Sequence, residues 1–318
     1  MVFARDWFSS RLSVCSSPHL AKPLSVICYV TKIMHMKSNK NWNFTQKNSD
    51  EILMDGIFNL KKQPFQKFHE VKKSNAGNYL ISNKKTHFYI GEGKNLEKRL
   101  KQQSKETTST FYKNYKKIIR QSSLDISEFE VQTINTNIGR KEIEEFGIVN
   151  LKTILNKFQL EKRSSFKIQK NGFWNEVQEN KEQIFLDAEK EIFKHKFSFW
   201  FDCDVKIVSG LYIVKNKKDE LIYIGESSNI KERFVTHSSR TYFSALRRHI
   251  GTELLDFQLI EISGRKRLFT DKQDMEITKF LKNCNALFFP IFFGRYEIEE
   301  FLIKKHKPLL NRKDNKNE

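Results

Sequence analysis

Two tyrosines, an arginine and a glutamate occur twice in this chain in the same order. Tyr79, Tyr89, Arg99 and Glu144 form one set; Tyr212, Tyr223, Arg233 and Glu299 form the other. Each set is followed by an asparagine, Asn156 or Asn311, and the second adds His237 where the first has Gln103. These residue types have distinct capacities. A carboxylate suits a hard divalent cation. A guanidinium stays charged and can fork onto two oxygens. Imidazole exchanges protons near neutrality, and a phenol does so only when neighbours perturb it. Taken singly, each is as readily a surface or core residue; the recurrence singles them out.

The recurrence is ordered. Gly77-Asn78-Tyr79, Tyr89-Ile90-Gly91 and Arg99 return as Gly210-Leu211-Tyr212, Tyr223-Ile224-Gly225 and Arg233, at offsets of 133, 134 and 134. Gly139-Arg140-Lys141-Glu142-Ile143-Glu144-Glu145-Phe146 returns as Gly294-Arg295-Tyr296-Glu297-Ile298-Glu299-Glu300-Phe301, at offset 155. Three blocks in one order indicate a tandem duplication. The second copy carries 21 extra residues (155 minus 134) between arginine and glutamate. The reading is an extension over 1–73, partly disordered, a first domain over 74–160, a helical connector over 161–205 and a second domain over 206–314.

Elements must hold these residues in place. Tyr212-Ile213-Val214 and Leu221-Ile222-Tyr223-Ile224 are β-branched and aromatic runs around a polar turn, which predicts a β-hairpin. Asn229 sits as an N-cap with Glu232 three residues on, a capping-box pattern, and Asn95 opens the matching helix in the first copy. Arg233 and His237, four apart, then share a helix face. Asn175 to Phe197 reads as one helix, and Lys272 to Lys282 as another inside the excess, which spans about 264–290. The aromatic run ending the excess, Leu287 to Phe293, predicts packing on the neighbouring copy or a lobe against nucleic acid. The fold class is α/β: two small domains, each a short antiparallel or mixed β-sheet flanked by helices.

A formal net charge of +19 points to a polyanionic partner, nucleic acid first. Lysine-rich drift of composition is the plain alternative. Arg240, Arg247, Arg248, Arg265, Lys266 and Arg267 form a candidate phosphate-positioning surface. Cys15, Cys28, Cys203 and Cys284 lie far apart, against a zinc site or disulfide framework and in keeping with a reducing, cytoplasmic setting. No apolar run reaches the roughly 20 residues of a membrane span. The Ser-rich first 35 residues read as a targeting segment or as a start placed upstream of Met34 or Met36.

The ordered blocks, with Arg233-x-x-x-His237 and Lys307-Pro308-Leu309-Leu310-Asn311, resemble the GIY-YIG nucleases over nearly the whole second half. That resemblance implies a metal-dependent endonuclease using Mg²⁺ or Mn²⁺. It makes Glu299, and Glu144 by repetition, the metal ligand, Arg233 or Arg99 the grip on the scissile phosphate, and Tyr212 the group that takes the proton from the attacking water. His237 becomes that tyrosine's neighbour or the base itself. Tyr223, Tyr79, Tyr89, Asn311 and Asn156 complete the sets, the asparagines as orienting groups. The bland reading of Glu299 is one of three acids, with Glu297 and Glu300, on a solvated helix face. The first copy departs from the pattern at Asn78, Gln103 and Thr153, which leaves it active or impaired. The substrate would be double-stranded DNA, cut by two joined sites as a pseudo-dimer. Alternatives are a non-catalytic nucleic-acid-binding platform, or cleavage of RNA or branched DNA.

Overall fold

The computed structural model describes residues 41–120, 124–156, 166–239, 241–261 and 267–311. The expected leader and start site therefore lie outside the described residues. The chain runs α1 (Trp42–Lys47), α2 (Ser49–Lys61), β1 (Gly77–Asn83), β2 (Thr86–Gly93), α3 (Leu96–Gln103), α4 (Thr110–Ile119), β3 (Glu130–Asn135) and α5 (Arg140–Asn150). It continues through α6 (Phe173–Glu179), α7 (Lys181–Phe193), β4 (Ser198–Phe199), β5 (Gly210–Lys215), β6 (Leu221–Ser227), α8 (Ile230–Ser239) and α9 (Ala245–His249). Then come β7 (Ile260–Glu261), β8 (Arg267–Leu268), α10 (Asp271–Lys282), β9 (Asn285–Pro290) and α11 (Arg295–His306).

Two antiparallel sheets share a three-strand build, to which the second adds β4. The first has order β2-β1-β3 and the second β4-β9-β5-β6, with a separate β7-β8 ribbon. Tyr79 pairs with Gly91 and Thr133; Tyr212 pairs with Gly225 and Phe288. A register shift falls at Ile81/Ser82 in one hairpin and at Val214/Lys215 in the other. The expected hairpin is present. The glycine of the second triplet is needed at this pairing: a Cβ on Gly225 would come within 2.3 Å of the Tyr212 ring, and one on Gly91 within 2.4 Å of the Tyr79 hydroxyl. The tyrosine lies across the strand where only a hydrogen leaves it room.

Strand alternation sends successive side chains to opposite faces. Leu80 and Ile90, and likewise Leu211, Ile213 and Ile224, face a shared core with Ile143, Phe146, Ile298 and Leu302. Tyr79, Ile81 and Tyr89 face outward into a smaller cluster with Leu100 and Phe111, and Val214 and Ile222 into another around Trp200. Residues 42–61, expected as part of an extension, are instead core: Trp42, Ile52, Leu53, Ile57 and Leu60 are buried in the shared cluster. The connector is two helices, broken at Asn180, where the single helix was expected. Buried Asp55 caps the first of them, its carboxylate accepting from the Asn171 and Trp174 amides at 3.1 and 2.9 Å.

The aromatic run Leu287 to Phe293 is not an addition to the domain. Its first part is β9, the partner of β5, as β3 is of β1. The inserted segment thus lies upstream of it and contributes α10, as expected, together with the β7-β8 ribbon. Phe293 does pack on the neighbouring half, against Gly139.

The repeated Gly-Arg block turns out to be where the halves meet. Gly139 and Gly294 open α5 and α11 at φ of 92° and 83°, a region that favours glycine. A Cβ on Gly139 would strike Phe293 at 2.5 Å, and one on Gly294 would strike Ile138 at 2.7 Å. Arg140 Nε donates to Glu297 at 2.8 Å and its Nη2 to Glu300 at 3.1 Å. Arg295 Nη1 donates to Glu142 at 2.9 Å, and its Nη2 donates to Glu145. Each arginine also holds an acid of its own half, Glu92 at 3.5 Å from Arg140 and Glu226 at 2.8 Å from Arg295. Residue i meets j while j's equivalent meets i's, the contact pattern of a two-fold interface, here inside one chain.

Candidate active site

In the second half, β5 and β6 present Tyr212 and Tyr223 side by side, their rings stacked at 5.9 Å between centroids. The two hydroxyls share a hydrogen bond. Asn229 caps α8, its Oδ1 accepting from the Glu232 amide at 3.1 Å, so the helix starts where expected. The return bond of a capping box is replaced: the Asn229 amide donates to Ser227 Oγ at 3.0 Å. α8 carries Arg233 toward both tyrosines and α11 carries Glu299 there; both charges act on both hydroxyls. The Glu299 carboxylate accepts from the Glu226 amide at 3.0 Å. Burial pushes the Tyr212 hydroxyl well above its ordinary value, with Tyr223 adding to the rise and Arg233 opposing it. Arg233 opens onto a cleft of about 390 Å³ that also touches Lys141, Glu145, Ser227 and Glu232.

His237 is buried at 1% exposure, its ring 5.1 Å from that of Tyr212. Burial first, then Arg233 and Arg247, lowers its pKa from 6.5 to about 3, so it is neutral at pH 7. Its Nδ1 meets Ser244 Oγ at 2.7 Å. Ser244 Oγ also accepts from the Arg247 amide at 3.0 Å. Buried Nε2 has no hydrogen-bond partner within the described protein.

The first half repeats this slot with an amide. Gln103 Nε2 donates to the Tyr79 hydroxyl at 2.9 Å, and its Oε1 accepts from Ser109 Oγ at 2.9 Å and the Phe111 amide at 3.1 Å. Ser109 caps α4 as Ser244 caps α9. Both slots thus place a neutral side chain between a helix-capping serine and the tyrosine, by a hydrogen bond in the first half and by ring contact in the second. We therefore expect His237→Gln to retain cleavage within about tenfold, and the activity–pH profile to lack a histidine step near 6.5; rates of the two proteins from pH 5 to 9 check this. The group also affects stability. Between pH 3 and 6.5 the unfolded chain binds more protons here than the folded one, so unfolding free energy rises with pH across that window.

Arg99 and Glu144 remain with Tyr79 and Tyr89 in the first half. Their charges act on both hydroxyls, and burial raises both phenols, Tyr89 to about 12. Glu144 is pushed up to about 7, by burial first and against the pull of Lys141. Asn311 and Asn156 hold strands: each accepts from and donates to one residue, Ile224 at 2.9 and 2.7 Å and Ile90 at 2.8 Å both ways.

Two expectations are overturned. Arg247 is no phosphate contact: it is fully buried, with Nη2 on Asp274 Oδ1 at 2.9 Å and on Thr278 at 3.0 Å, and Nη1 on the His237 carbonyl at 3.3 Å. It ties the inserted α10 to the helix bearing His237. Glu297 is not on a solvated face, being 5% exposed against Arg140. Arg248 is half-buried; Arg240, Arg265 and Lys266 lie outside the described residues, as does the Arg267 side chain. Glu226, Ser244 and Arg295 were not singled out from sequence, although recurrence of Arg140 as Arg295 beside paired glutamates was a usable signal.

Among the described residues no three His, Cys, Asp or Glu side chains gather to hold a metal ion. The oxygen-only donors near Glu299 suit Mg²⁺ or Mn²⁺, which take one carboxylate and complete their shell with water and phosphate. Residues 201–318 match the family model of the GIY-YIG catalytic domain. That match suggests nuclease activity and a nucleic-acid substrate for this half. No curated protein matches the chain. Among the described residues no helix is long and apolar enough to cross a membrane.

Proposed function

We propose that the chain is a metal-dependent endonuclease that hydrolyses DNA phosphodiesters at the Tyr212–Arg233–Glu299 site. The observation that carries this is the convergence of Arg233 and Glu299 on the Tyr212–Tyr223 hydroxyl pair, within the segment that matches the catalytic family. Arg233 grips the scissile phosphate from the cleft. Mg²⁺ or Mn²⁺ bound at Glu299 supplies charge neutralisation at that phosphate. Tyr212 reacts as its phenolate, taking the proton of the attacking water to become the phenol; Arg233 lowers the cost of that phenolate. His237, neutral at pH 7, packs its ring against Tyr212 and is not the base. Asn311 fixes the strand beneath Tyr223.

The proposed organisation is two GIY-YIG-like domains, 74–160 and 206–314, with the connector 161–205 between them, forming an intramolecular pseudo-dimer. Repeated element order and the reciprocal arginine clamps support it. The half-exposed Arg248 and its unplaced basic neighbours would steer duplex DNA without reading sequence. A cytoplasmic location accords with the spaced cysteines.

The test offers the full chain labelled duplex DNA, single strands, a branched junction and RNA, each with Mg²⁺, Mn²⁺ or EDTA. Metal-dependent cutting of the duplex is expected. Cutting confined to RNA or the junction would replace the substrate, and binding without any cutting would replace the enzyme by a binding platform.

A further inference from the structure

The two carboxylates assigned to metal stand in different company. In the first half the Lys141 ammonium lies 3.2 Å from Glu92 and 3.7 Å from Glu144. These acids correspond to Glu226 and Glu299 in the second half. There the position of Lys141 is taken by Tyr296, which has no charge to offer at neutral pH. Its ring is instead turned toward the cations of the first half, 5.0 Å from the Arg140 guanidinium and 5.9 Å from the ammonium groups of Lys94 and Lys141. Glu226 is held by Arg295 at 2.8 Å, and its amide supports the Glu299 carboxylate.

A divalent cation at Glu144 would therefore have to enter a half-buried corner where a positive charge already neutralises the carboxylates. Like charges repel strongly when water is partly excluded. Lysine is also suited to the task, since its compact ammonium sits where a small cation would. We infer that Lys141 plugs the first site: its ammonium stands in for the divalent cation beside Glu144, so the first half binds nucleic acid without cutting it. The inference rests on the reading of the second half as a metal-dependent nuclease.

The same side chain has a second consequence. Lys141 also borders the cleft that bears Arg233. The plug of one site thus contributes positive charge to the mouth of the other.

Localised polypeptide scission separates this inference from the nuclease reading. The full chain, wild type or Lys141→Met, is loaded with Fe²⁺ in place of Mg²⁺ and treated with ascorbate and peroxide, and the cuts are mapped by mass spectrometry. Wild type should be cut near Glu299 and not near Glu144. Lys141→Met should gain a cut near Glu144, comparable in yield to that near Glu299, and Glu144→Gln in that background should remove it; Lys141→Arg should behave as wild type. A wild-type cut near Glu144 overturns the plug, even should Lys141→Met fail to fold. So does a folded Lys141→Met chain without the new cut. Loss of the cut near Glu299 alone overturns the nuclease reading and leaves the Lys141 comparison to be judged near Glu144.

Discussion

Arg295→Ala should destabilise the folded chain by about 3–5 kcal/mol, the usual cost of leaving a buried charge without its partner. Arg295 is 2% exposed and serves three carboxylates at once, Glu142, Glu145 and Glu226. Glu142 is wholly buried, and desolvation raises its pKa against the pull of Arg295. Without the arginine that pKa rises further. The folded chain would then bind a proton that the unfolded chain releases, so the mutant's unfolding free energy falls as pH rises through neutrality. Urea unfolding of both proteins at pH 5.5 and 8.5 should show the larger deficit at pH 8.5. Replacing Arg295 and Glu142 together with apolar residues should recover part of the loss, because no charge remains unpaired.

Glu299→Ala should lower metal-dependent cleavage about a thousandfold or more, several kcal/mol of charge stabilisation at the phosphate being lost. Duplex binding should fall little, since Arg233 and the basic surface stay. Anisotropy with a labelled duplex in Ca²⁺ reads binding while single-turnover rates in Mg²⁺ read chemistry. The carboxylate receives the Glu226 amide at 3.0 Å. Glu299→Gln keeps that acceptor, so equal loss in both variants would assign the defect to charge and not to a displaced strand.

Much of the second half was legible because its signals are local. The hairpin follows from two β-branched runs, the α8 start from Asn229, and the α10 helix from the pattern of 272–282. The unread parts depend on partners distant in sequence. Arg247 looks like any surface arginine until α10, some thirty residues on, brings Asp274 to it. Glu297 and Glu300 look like a solvated face until Arg140 arrives from the other half. Local pattern likewise could not show that Leu287 to Pro290 forms the strand beside β5, or that Asn180 ends one helix before the next begins.

The candidate site was legible as a set of residues that the fold brings together and illegible as a division of labour. Gln103 for His237 reads as loss of a base. In three dimensions both side chains meet a helix-capping serine on one side and a tyrosine on the other, and His237 is a poor base in any case. The substitution with greater weight is Tyr296 for Lys141, which sequence comparison records as one mismatch inside a well-matched block.

Supercoiled plasmid offered to wild type, Glu299→Ala and Glu144→Ala, in Mg²⁺ and in EDTA, tests the central claim most directly. The account predicts Mg²⁺-dependent strand cutting by wild type, the same rate within about threefold for Glu144→Ala, and none above background for Glu299→Ala. Cutting lost in Glu144→Ala and kept in Glu299→Ala, or no cutting by wild type with either Mg²⁺ or Mn²⁺, would contradict it.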